Sequence, residues 1–403
     1  MKQVAKQESG LLRPSVVAES HPLRVAVLCD FLEEGWPSMD LAGDMLYQSL
    51  RESSSSEVAA AKLRPEFHER CVRVLPGSMG RNVDRLVNRF VDYPRWLRTR
   101  TGDYDLFHLV DHSYSQLLHV LPAHRTVVTC HDLDTFRCLL EPDGDKRPAW
   151  FQAMARRILK GFQQSAHVIC NSAATRDQLL RYRLFPLDRL SVIHVGLSPT
   201  FTSRPNPEAD AEAQRLLGPR CDDEISLLSV GSTIPRKRVD ILLRVFAAVR
   251  QHLPSARLIR VGGPFTEPQR RLAKDLGVEE FISVLPFVTA DVIAAIYRRA
   301  TLLLQPSESE GFGMPLTEAL ACGCPVLASD IGSLREVGGA VCRYCPVGDV
   351  DAWKQATLRI VSQTADPQVL ESWRRDAAQH ATQYSWDENA RRTIEVYRKV
   401  LFQ

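Results

Sequence analysis

The sequence has no long apolar run, little net charge and few aromatic residues, and each of these absences excludes a class of protein. No stretch approaches the roughly 20 consecutive apolar residues that a membrane-spanning helix needs. The net charge of +3 on 403 residues is too small to indicate a nucleic-acid binder, and no nucleic-acid-binding module is recognisable. Residues 1–20 lack the apolar core of a secretory signal, so we expect a disordered leader and a cytoplasmic protein.

Ten cysteines are present, and disulfides are not expected in a reducing compartment. Four lie in or beside predicted strands, where a free thiol behaves as a small apolar group: Cys29, Cys71, Cys130 and Cys170. The close pairs at 322/324 and 342/345 imitate the spacing of a zinc ribbon, but the first pair lies in a segment of small residues that packing explains. We therefore predict no metal site.

Short apolar runs alternate with amphipathic stretches along most of the chain, which is typical of a parallel α/β sheet. The predicted strands are Arg24–Cys29, Cys71–Leu75, Asp105–Val110, Thr126–Cys130, His167–Asn171, Leu190–Val195, Ile225–Gly231, Ala256–Gly262, Phe281–Leu285, Thr301–Gln305 and Pro325–Ser329. A segment rich in Pro, Ser and Asp divides the two series and predicts a linker. The predicted parts are a leader (1–20), two Rossmann-like domains (21–200 and 223–385) joined by the linker (201–222), and a C-terminal helix (386–403).

The segment 307–318 reads Ser-Glu-Ser-Glu-Gly-Phe-Gly-Met-Pro-Leu-Thr-Glu and carries the strongest functional signal. Glu310 and Glu318 flank a Gly-Phe-Gly turn, and Pro315 stands where a helix begins. The glycines let a ligand approach the backbone, at the sheet edge where α/β folds bind ligands. Because carboxylates there accept hydrogen bonds from vicinal hydroxyls, we predict a nucleotide-sugar pocket; the alternative is an acid-flanked helix cap.

A second signal lies at 225–240, where a predicted strand ends at Gly231 and Arg236-Lys237 precedes a helix. A guanidinium binds phosphate oxygens through its fork, and an ammonium acts as a point charge. Fixed cations at this turn would stabilise the charge that develops on a departing diphosphate. The alternative is a solvated basic turn.

Both segments resemble retaining glycosyltransferases of family 4, which have the GT-B fold. Glu310 and Glu318, with seven residues between them, match the E-x7-E region of that family, and residues 230–238 resemble its V-G-x-x-x-P-R-K-N stretch. Ser232 departs from the pattern, since many members carry an arginine there. The resemblance implies two Rossmann-like domains with parallel sheets facing a central cleft, a last helix crossing back to the first domain, and metal-independent transfer by front-face attack.

The resemblance also implies roles for single residues. Glu310 would hold hydroxyls of the transferred sugar, Glu318 the ribose, and Arg236 and Lys237 the leaving diphosphate, while His131 would align diphosphate and acceptor. The implied catalytic set is therefore His131, Arg236, Lys237 and Glu310. The implied donor-binding set comprises Gly35, Gly231, Arg236, Lys237, Phe287, Val288, Glu310, Gly311, Phe312, Gly313 and Glu318. Phe287 would either cover the base or pack in the core.

Polar residues at strand ends in the first half predict the acceptor side. His131 follows the strand Thr126–Cys130, and an imidazole can donate a hydrogen bond near neutral pH. His112, after the preceding strand, is a weaker candidate. The first loop is the poorest match to the family, which often has Gly-Gly there; this chain offers Gly35 followed by Trp36, whose ring could stack on an acceptor sugar.

Residues 81–100 form a basic amphipathic stretch, with Arg81, Arg85 and Arg89 on one face of a predicted helix. Such a stretch either lies peripherally on an anionic membrane, in which case the acceptor could be lipid-linked, or is an ordinary solvated helix face.

Together these signals predict a glycosyltransferase that moves a hexose, of the mannose or glucose type, from a UDP- or GDP-linked sugar to a hydroxyl of a glycan, glycolipid or small molecule. The donor is a substrate, and no resident cofactor is predicted. The rivals are a sugar phosphorylase or a sugar-nucleotide epimerase on the same scaffold, and a catalytically silent scaffold subunit.

Overall fold

The structure, a computed structural model, describes residues 21–53, 57–75, 78–219 and 223–402. The predicted leader lies outside the described residues, as do residues 220–222 of the predicted linker. The described chain forms two halves, each built on a six-stranded sheet in which the paired strands run parallel.

The N-terminal half alternates strands and helices. Its strands are β1 (Leu23–Leu28), β2 (Val58–Leu63), β3 (Leu106–Leu109), β4 (Thr126–Cys130), β5 (His167–Cys170) and β6 (Leu190–Val192). Its helices are α1 (Pro37–Ser53), α2 (Ser78–Val87), α3 (Tyr93–Arg98), α4 (Arg137–Leu140), α5 (Ala149–Phe162) and α6 (Ala173–Arg181). The strand order across the sheet is β2-β1-β3-β4-β5-β6.

The C-terminal half repeats this plan. Its strands are β7 (Ile225–Val230), β8 (Ala256–Val261), β9 (Ile282–Leu285), β10 (Leu302–Gln305), β11 (Val326–Ser329) and β12 (Arg343–Cys345), in the order β12-β11-β10-β7-β8-β9. The remaining helices are α7 (Pro207–Leu217), α8 (Val239–Arg250), α9 (Glu267–Asp275), α10 (Ala290–Arg299), α11 (Met314–Ala321), α12 (Gly332–Gly338), α13 (Val350–Thr364), α14 (Pro367–Ala381) and α15 (Trp386–Phe402).

The central strands are covered by helices on both faces, so their sequences are continuously apolar. Residues 25–28 of β1 and residues 302–304 of β10 are almost completely buried, which a strand alternating between core and solvent could not achieve. Local signals fix the helix starts: the side chain of Asn206 accepts a hydrogen bond from the amide of Ala209, and α7 then begins at Pro207. The predicted architecture of two Rossmann-like parallel sheets is confirmed.

The last helix, α15, lies against the N-terminal half. The hydroxyl of Tyr397 is 2.6 Å from Nδ1 of His108 on β3, and Asn389 donates a hydrogen bond of 2.7 Å to the backbone oxygen of His194. The end of the chain therefore ties the two halves together.

The carboxyl edges of the two sheets also meet directly. Ser172, at the start of α6, donates a 2.7 Å hydrogen bond to the backbone oxygen of Gly311. From α12, the carboxylate of Glu336 accepts hydrogen bonds from the amide of Ala173 at 2.8 Å and lies 2.8 Å from His194. These contacts surround the cleft in which the predicted site residues lie.

Two strand predictions differ from the structure. The predicted strand Cys71–Leu75 is wrong: the carboxylate of Asp84 accepts hydrogen bonds from the backbone amides of residues 70–72 and holds them in a turn, and the edge strand is Val58–Leu63. Strand β12 was not predicted, because three residues at a sheet edge give little periodic signal. No described helix is long and apolar enough to cross a membrane.

Candidate active site

A glycine turn joins β10 to α11 at the edge of the C-terminal sheet. Gly313 has a φ of 104°, in the left-handed region, and α11 begins directly after it with Pro315 in its first turn. A Cβ atom on Gly311 would lie 1.8 Å from the backbone oxygen of His131, so only glycine fits at this point between the halves. The N-terminal end of α11 therefore lies at the cleft, where the helix dipole favours negative charge.

Glu310 is the most densely bonded side chain of this turn. Its Oε1 accepts hydrogen bonds from Lys237 at 2.6 Å, Ser307 at 2.7 Å and Gln305 at 3.0 Å, and its Oε2 lies 3.3 Å from Arg236. The carboxylate is therefore held in one orientation by groups from two loops.

Arg236 and Lys237 follow β7 in a short turn, as the sequence predicted. The Arg236 guanidinium reaches across the cleft to two acids of the N-terminal half, lying 3.3 Å from Asp132 and 3.5 Å from Asp134. Arg236 thus bridges the halves, and its charge is shared among three carboxylates.

The two glutamates of the E-x7-E segment have opposite electrostatic states. Burial opposes the ionisation of Glu310, but Lys237 and Arg236 outweigh it and lower the pKa to about 2. For Glu318, burial dominates and raises the pKa to about 7, although the hydroxyl of Tyr297 donates a 2.9 Å hydrogen bond to its Oε2. Glu310 is therefore fixed as an anion, while Glu318 exchanges a proton near neutral pH.

A buried arginine supports the turn after β7. Arg260 on β8 is 1% exposed, and its guanidinium donates to the backbone oxygens of Ser229, Gly231, Ser232 and Val261. Burial lowers its pKa to about 10, so it still carries a charge at neutral pH. These hydrogen bonds hold the backbone of the loop that contains Gly231, whose φ is 136°.

Aromatic residues of the predicted donor set lie in different surroundings. Phe287 is 64% exposed, so the alternative that it packs in the core is wrong; it stands beside Gly263, and Val288 is half-buried. Phe312 is 4% exposed and its ring packs edge-on against Tyr384, 5.5 Å away. Only the backbone of Phe312 is suited to meet a donor.

The two predicted histidines of the N-terminal half are buried. Nε2 of His131 donates a 2.7 Å hydrogen bond to the backbone oxygen of Val110, which leaves Nδ1 as the nitrogen able to meet another group. The ring of His112 packs against Phe136 and Phe162, and its Nδ1 is 3.2 Å from Asp111. His112 therefore occupies a supporting position behind the strand end.

The first loop is open to solvent. Trp36 is 52% exposed, and Gly35 has a φ of 71° at the end of a single 3-10 turn. The basic stretch beyond it is less exposed than its sequence suggests, because Arg85 donates to the backbone oxygens of Glu33 and Glu34. Arg89 pairs with the Glu34 carboxylate at 3.3 Å.

Comparison with known proteins now identifies the family. The sequence profile described as "Glycosyl transferases group 1" matches residues 216–379, and the one described as "Glycosyltransferase Family 4" matches residues 53–201. The chain belongs to glycosyltransferase family 4. By family it is thus a transferase of EC class 2.4, and the family predicted from the two motifs is confirmed.

Curated family 4 relatives cover the chain to different extents. A D-inositol 3-phosphate glycosyltransferase of Catenulispora acidiphila is 31% identical over 366 residues, covering 85% of each chain. A protein of the same name from Rhodococcus jostii is 31% identical over 287 residues, covering 68% of this chain and 60% of its own. The chain thus spans about three-fifths of the Rhodococcus protein.

Solved structures agree with the GT-B fold of this family 4 chain. Sucrose-phosphate synthase from Thermosynechococcus elongatus superposes with a TM-score of 0.71 at 18% identity, covering 94% of this chain and 99% of that one. Anabaena HepE, solved in complex with UDP and glucose, superposes with a TM-score of 0.69 at 17% identity, covering 94% and 100%. The predicted GT-B fold is confirmed.

Several residues at the family 4 cleft were not predicted as site residues. Asp132 and Asp134 follow His131 closely in the sequence and were not singled out, although both contact Arg236. Arg260 occupies a strand position where an apolar residue was expected. Asp30 is 2% exposed, and its carboxyl group is paired with that of Asp111. The sequence signal that could have indicated these acids is an aspartate shortly after each of three predicted strands, at positions 30, 111 and 132.

Proposed function

We propose that this protein is a retaining glycosyltransferase that transfers a hexose from a nucleoside-diphosphate sugar to an acceptor hydroxyl. The observation that carries the proposal is the Glu310 carboxylate, oriented by Lys237 and Arg236 beside the glycine turn at the start of α11. An anchored acid next to two cations and a helix start matches a sugar diphosphate, whose hydroxyl groups donate to the acid and whose phosphates meet the cations.

In the proposed reaction, the bond between the sugar and the diphosphate breaks and negative charge develops on the leaving group. Arg236, Lys237 and the first amides of α11 lie where they would stabilise that charge. Glu310 would accept hydrogen bonds from sugar hydroxyls, and Glu318 would bind the ribose. Phe287, exposed beside Gly263, is available to cover the base.

The way in which Glu310 is engaged supports the proposed retention of configuration without a covalent intermediate. A carboxylate that is neutralised by Lys237 at 2.6 Å and bonded by Ser307 and Gln305 is a weak nucleophile, so we favour attack by the acceptor on the face that the diphosphate leaves. The acceptor proton then passes to the departing phosphate oxygen. Nδ1 of His131 is available to align the two groups.

A UDP- or GDP-linked donor and a glycan, glycolipid or small-molecule acceptor complete the proposal. HepE, whose structures carry UDP and UDP-glucose, supports a nucleotide-sugar donor by its similarity of fold. Contact of residues 81–100 with an anionic membrane stays a prediction, supported by the exposed apolar side chains of Met79 and Leu86; co-sedimentation with anionic and neutral vesicles would test it.

The test is a thermal-shift panel with UDP, GDP, ADP, CDP and inorganic phosphate, each with EDTA and with Mg²⁺. A nucleotide at about a hundred times its dissociation constant adds about 2.7 kcal/mol to the free energy of unfolding. We expect UDP or GDP to stabilise the protein equally in both conditions. Stabilisation by phosphate alone would favour the phosphorylase, and no response to any compound would favour the silent scaffold.

A variant sharpens the panel. Lys237→Ala removes the cation nearest Glu310 and should abolish most of the nucleotide shift, whereas Lys354→Ala, on the distant helix α13, should leave it unchanged. Equal shifts in both variants would place nucleotide binding elsewhere.

A further inference from the structure

An acidic row follows three neighbouring strands of the N-terminal sheet. Strands β1, β3 and β4 lie side by side and end at residues 28, 109 and 130, and each is followed two residues later by an aspartate: Asp30, Asp111 and Asp132. Because parallel strands end at one edge, the three aspartates follow the same edge of the sheet, and Asp132 among them contacts Arg236 at 3.3 Å. Glu34 and Asp134 add two further acids to this side.

The first two aspartates of the row form a carboxyl pair. Asp111 accepts a 2.8 Å hydrogen bond from the Ser113 amide and another from its hydroxyl, so its own oxygens are satisfied. Asp30 is 2% exposed; burial raises its pKa, and its carboxyl group is hydrogen-bonded to that of Asp111. This pair is satisfied within the protein, and the acids of the row that line a cavity are Asp132 and its neighbour Asp134.

Cations near this row are already engaged. Arg89 is paired with Glu34 at 3.3 Å and also donates to the backbone oxygen of Ser113. Arg236 is the cation that reaches Asp132 and Asp134 from the opposite half. In the proposed function Arg236 also binds the donor diphosphate, so that a bound donor weakens its hold on both aspartates.

A cavity of about 250 Å³ opens at the Asp132 end of the row, and Asp30 and Asp111 are not among the residues that line it. Its walls include Asp132, Asp134, Glu141 and Glu308, with Arg137 and Arg236 as the basic groups. Arg137 lies 3.5 Å from Glu141 and 4.0 Å from Glu308, so its charge is shared between them. The cavity therefore has more carboxylates than cations and is small compared with sites for drug-sized ligands, which suits a single sugar ring or polyol.

We propose that the acceptor of this enzyme is a polyhydroxyl compound without a phosphate group at the reacting end, and that the acidic row selects against phosphate esters. Hydroxyl groups donate to carboxylates, and an ammonium group does so more strongly. A phosphate in this cavity would meet four carboxylates against two arginines that already contact acids, and such like-charge placement is how sites reject a competitor. The inference rests on the proposed transfer reaction, and differs from the phosphorylated acceptor in the names of the curated relatives.

The experiment measures release of nucleoside diphosphate from UDP-glucose and GDP-mannose with matched acceptors at equal concentration. The pairs are myo-inositol with D-inositol 3-phosphate and glucose with glucose 6-phosphate, and glucosamine is added as the cationic member. In at least one pair we expect the phosphate-free compound to raise the rate of nucleoside-diphosphate release at least tenfold above the rate of donor hydrolysis by water. We expect both phosphate esters to give only the rate of that hydrolysis. A faster phosphate ester, or a panel in which no phosphate-free compound reacts, overturns the proposal.

Two variants test the cause. Asp134→Asn removes one acid from the row and should reduce the ratio of phosphate-free to phosphorylated turnover several-fold. Asp376→Asn, an exposed position on α14, should leave the ratio unchanged. An unchanged ratio in Asp134→Asn, or the same change in both variants, overturns the assignment of selectivity to the acidic row.

The nucleotide shifts described above separate the two proposals. If neither UDP nor GDP stabilises the protein, the transfer reaction itself is lost. If a nucleotide binds but a phosphate ester is the better acceptor, only the acceptor inference is lost.

Discussion

Carboxylates line both edges of the cleft, but the two edges treat them differently. At the C-terminal edge, Glu310 is bonded by Lys237, Arg236 and two neutral donors, and its pKa is lowered to about 2. At the N-terminal edge, Asp30 is buried against Asp111, and burial followed by the neighbouring Asp111 raises its pKa well above the ordinary value. Cations keep the carboxylate of one edge ionised, whereas burial at the other edge opposes the ionisation of Asp30.

This difference indicates how the two edges of a cleft can serve different substrates, one binding the donor and the other selecting the acceptor. A donor diphosphate is always anionic, so the edge that binds it can carry fixed cations in every member of a family. Acceptors differ between enzymes, and an edge rich in carboxyl groups can select among them by charge and by hydroxyl geometry. Four variants would break or sharpen this comparison.

The largest effect is expected from Glu310→Gln, which removes the anion that Lys237 and Arg236 hold. A preorganised group that acts on the reacting sugar is worth about 10²–10³ in turnover, so we expect kcat to fall by that factor. Nucleotide affinity, measured by titration calorimetry, should change only a few-fold. The exposed Glu371→Gln on α14 is the matched control, and equal activity in the two variants would remove Glu310 from the proposed mechanism.

Gly311→Ala tests whether the two edges must touch. The added methyl group would meet the backbone oxygen of His131 at 1.8 Å, so the halves have to separate. Because misplacement by about 1 Å can cost about 10² in rate, we expect activity to fall by that order. Gly102→Ala, where a Cβ meets no atom within 4 Å, should behave like the wild type in turnover and thermal unfolding. Wild-type turnover in Gly311→Ala would contradict the closed arrangement.

Glu318→Gln sharpens the contrast within the donor edge. Burial raises the pKa of Glu318 from 4.5 to about 7, so the folded protein binds a proton that the unfolded chain has lost. The stabilising contribution is complete below pH 4.5 and is lost as the pH rises to about 7, amounting to about 3–4 kcal/mol for a rise of about 2.5 pKa units. Urea unfolding between pH 4.5 and 7.5 should show this decline in the wild type and not in Glu318→Gln; parallel curves would contradict it.

The smallest effect is expected from Arg260→Met, which keeps the volume and removes the guanidinium beneath the Gly231 loop. Unpaired backbone oxygens cost about 1–3 kcal/mol of stability, and the loosened loop should raise the KM for the donor by roughly tenfold while the acceptor KM stays constant. Arg257→Met, an exposed position on the same strand, is the control. An unchanged donor KM would mean that Arg260 stabilises the fold only.

The site residues at the C-terminal edge of the cleft could be predicted from the sequence because they are close together along the chain. Glu310, Gly311, Gly313 and Glu318 lie within one turn and one helix, so their spacing already fixes their relation. The same holds for the Arg236-Lys237 turn after β7. What the sequence did not indicate was that Arg236 reaches Asp132 in the other half, a pairing across 104 residues.

The aspartates at the N-terminal edge of the cleft could not be predicted in the same way. Asp30, Asp111 and Asp132 follow three different strands, and they become neighbours only when β1, β3 and β4 pair in register. Residues 71–75 were misassigned because their mostly apolar sequence is typical of a strand, whereas the Asp84 carboxylate accepts hydrogen bonds from the amides of Cys71 and Val72 and holds them in a turn. Tertiary pairing and side-chain capture of backbone amides are not local properties.

The backbone contact between Gly311 and His131 has a consequence for how the two substrates influence each other. The glycine turn that contains Gly311 packs against the backbone of His131, just after the end of β4. Ser172 donates a hydrogen bond to the backbone oxygen of the same glycine. A ligand that draws the halves together in one site therefore prepares the other, and the coupling is reciprocal. Donor affinity should rise in the presence of acceptor by the same factor as acceptor affinity rises in the presence of donor.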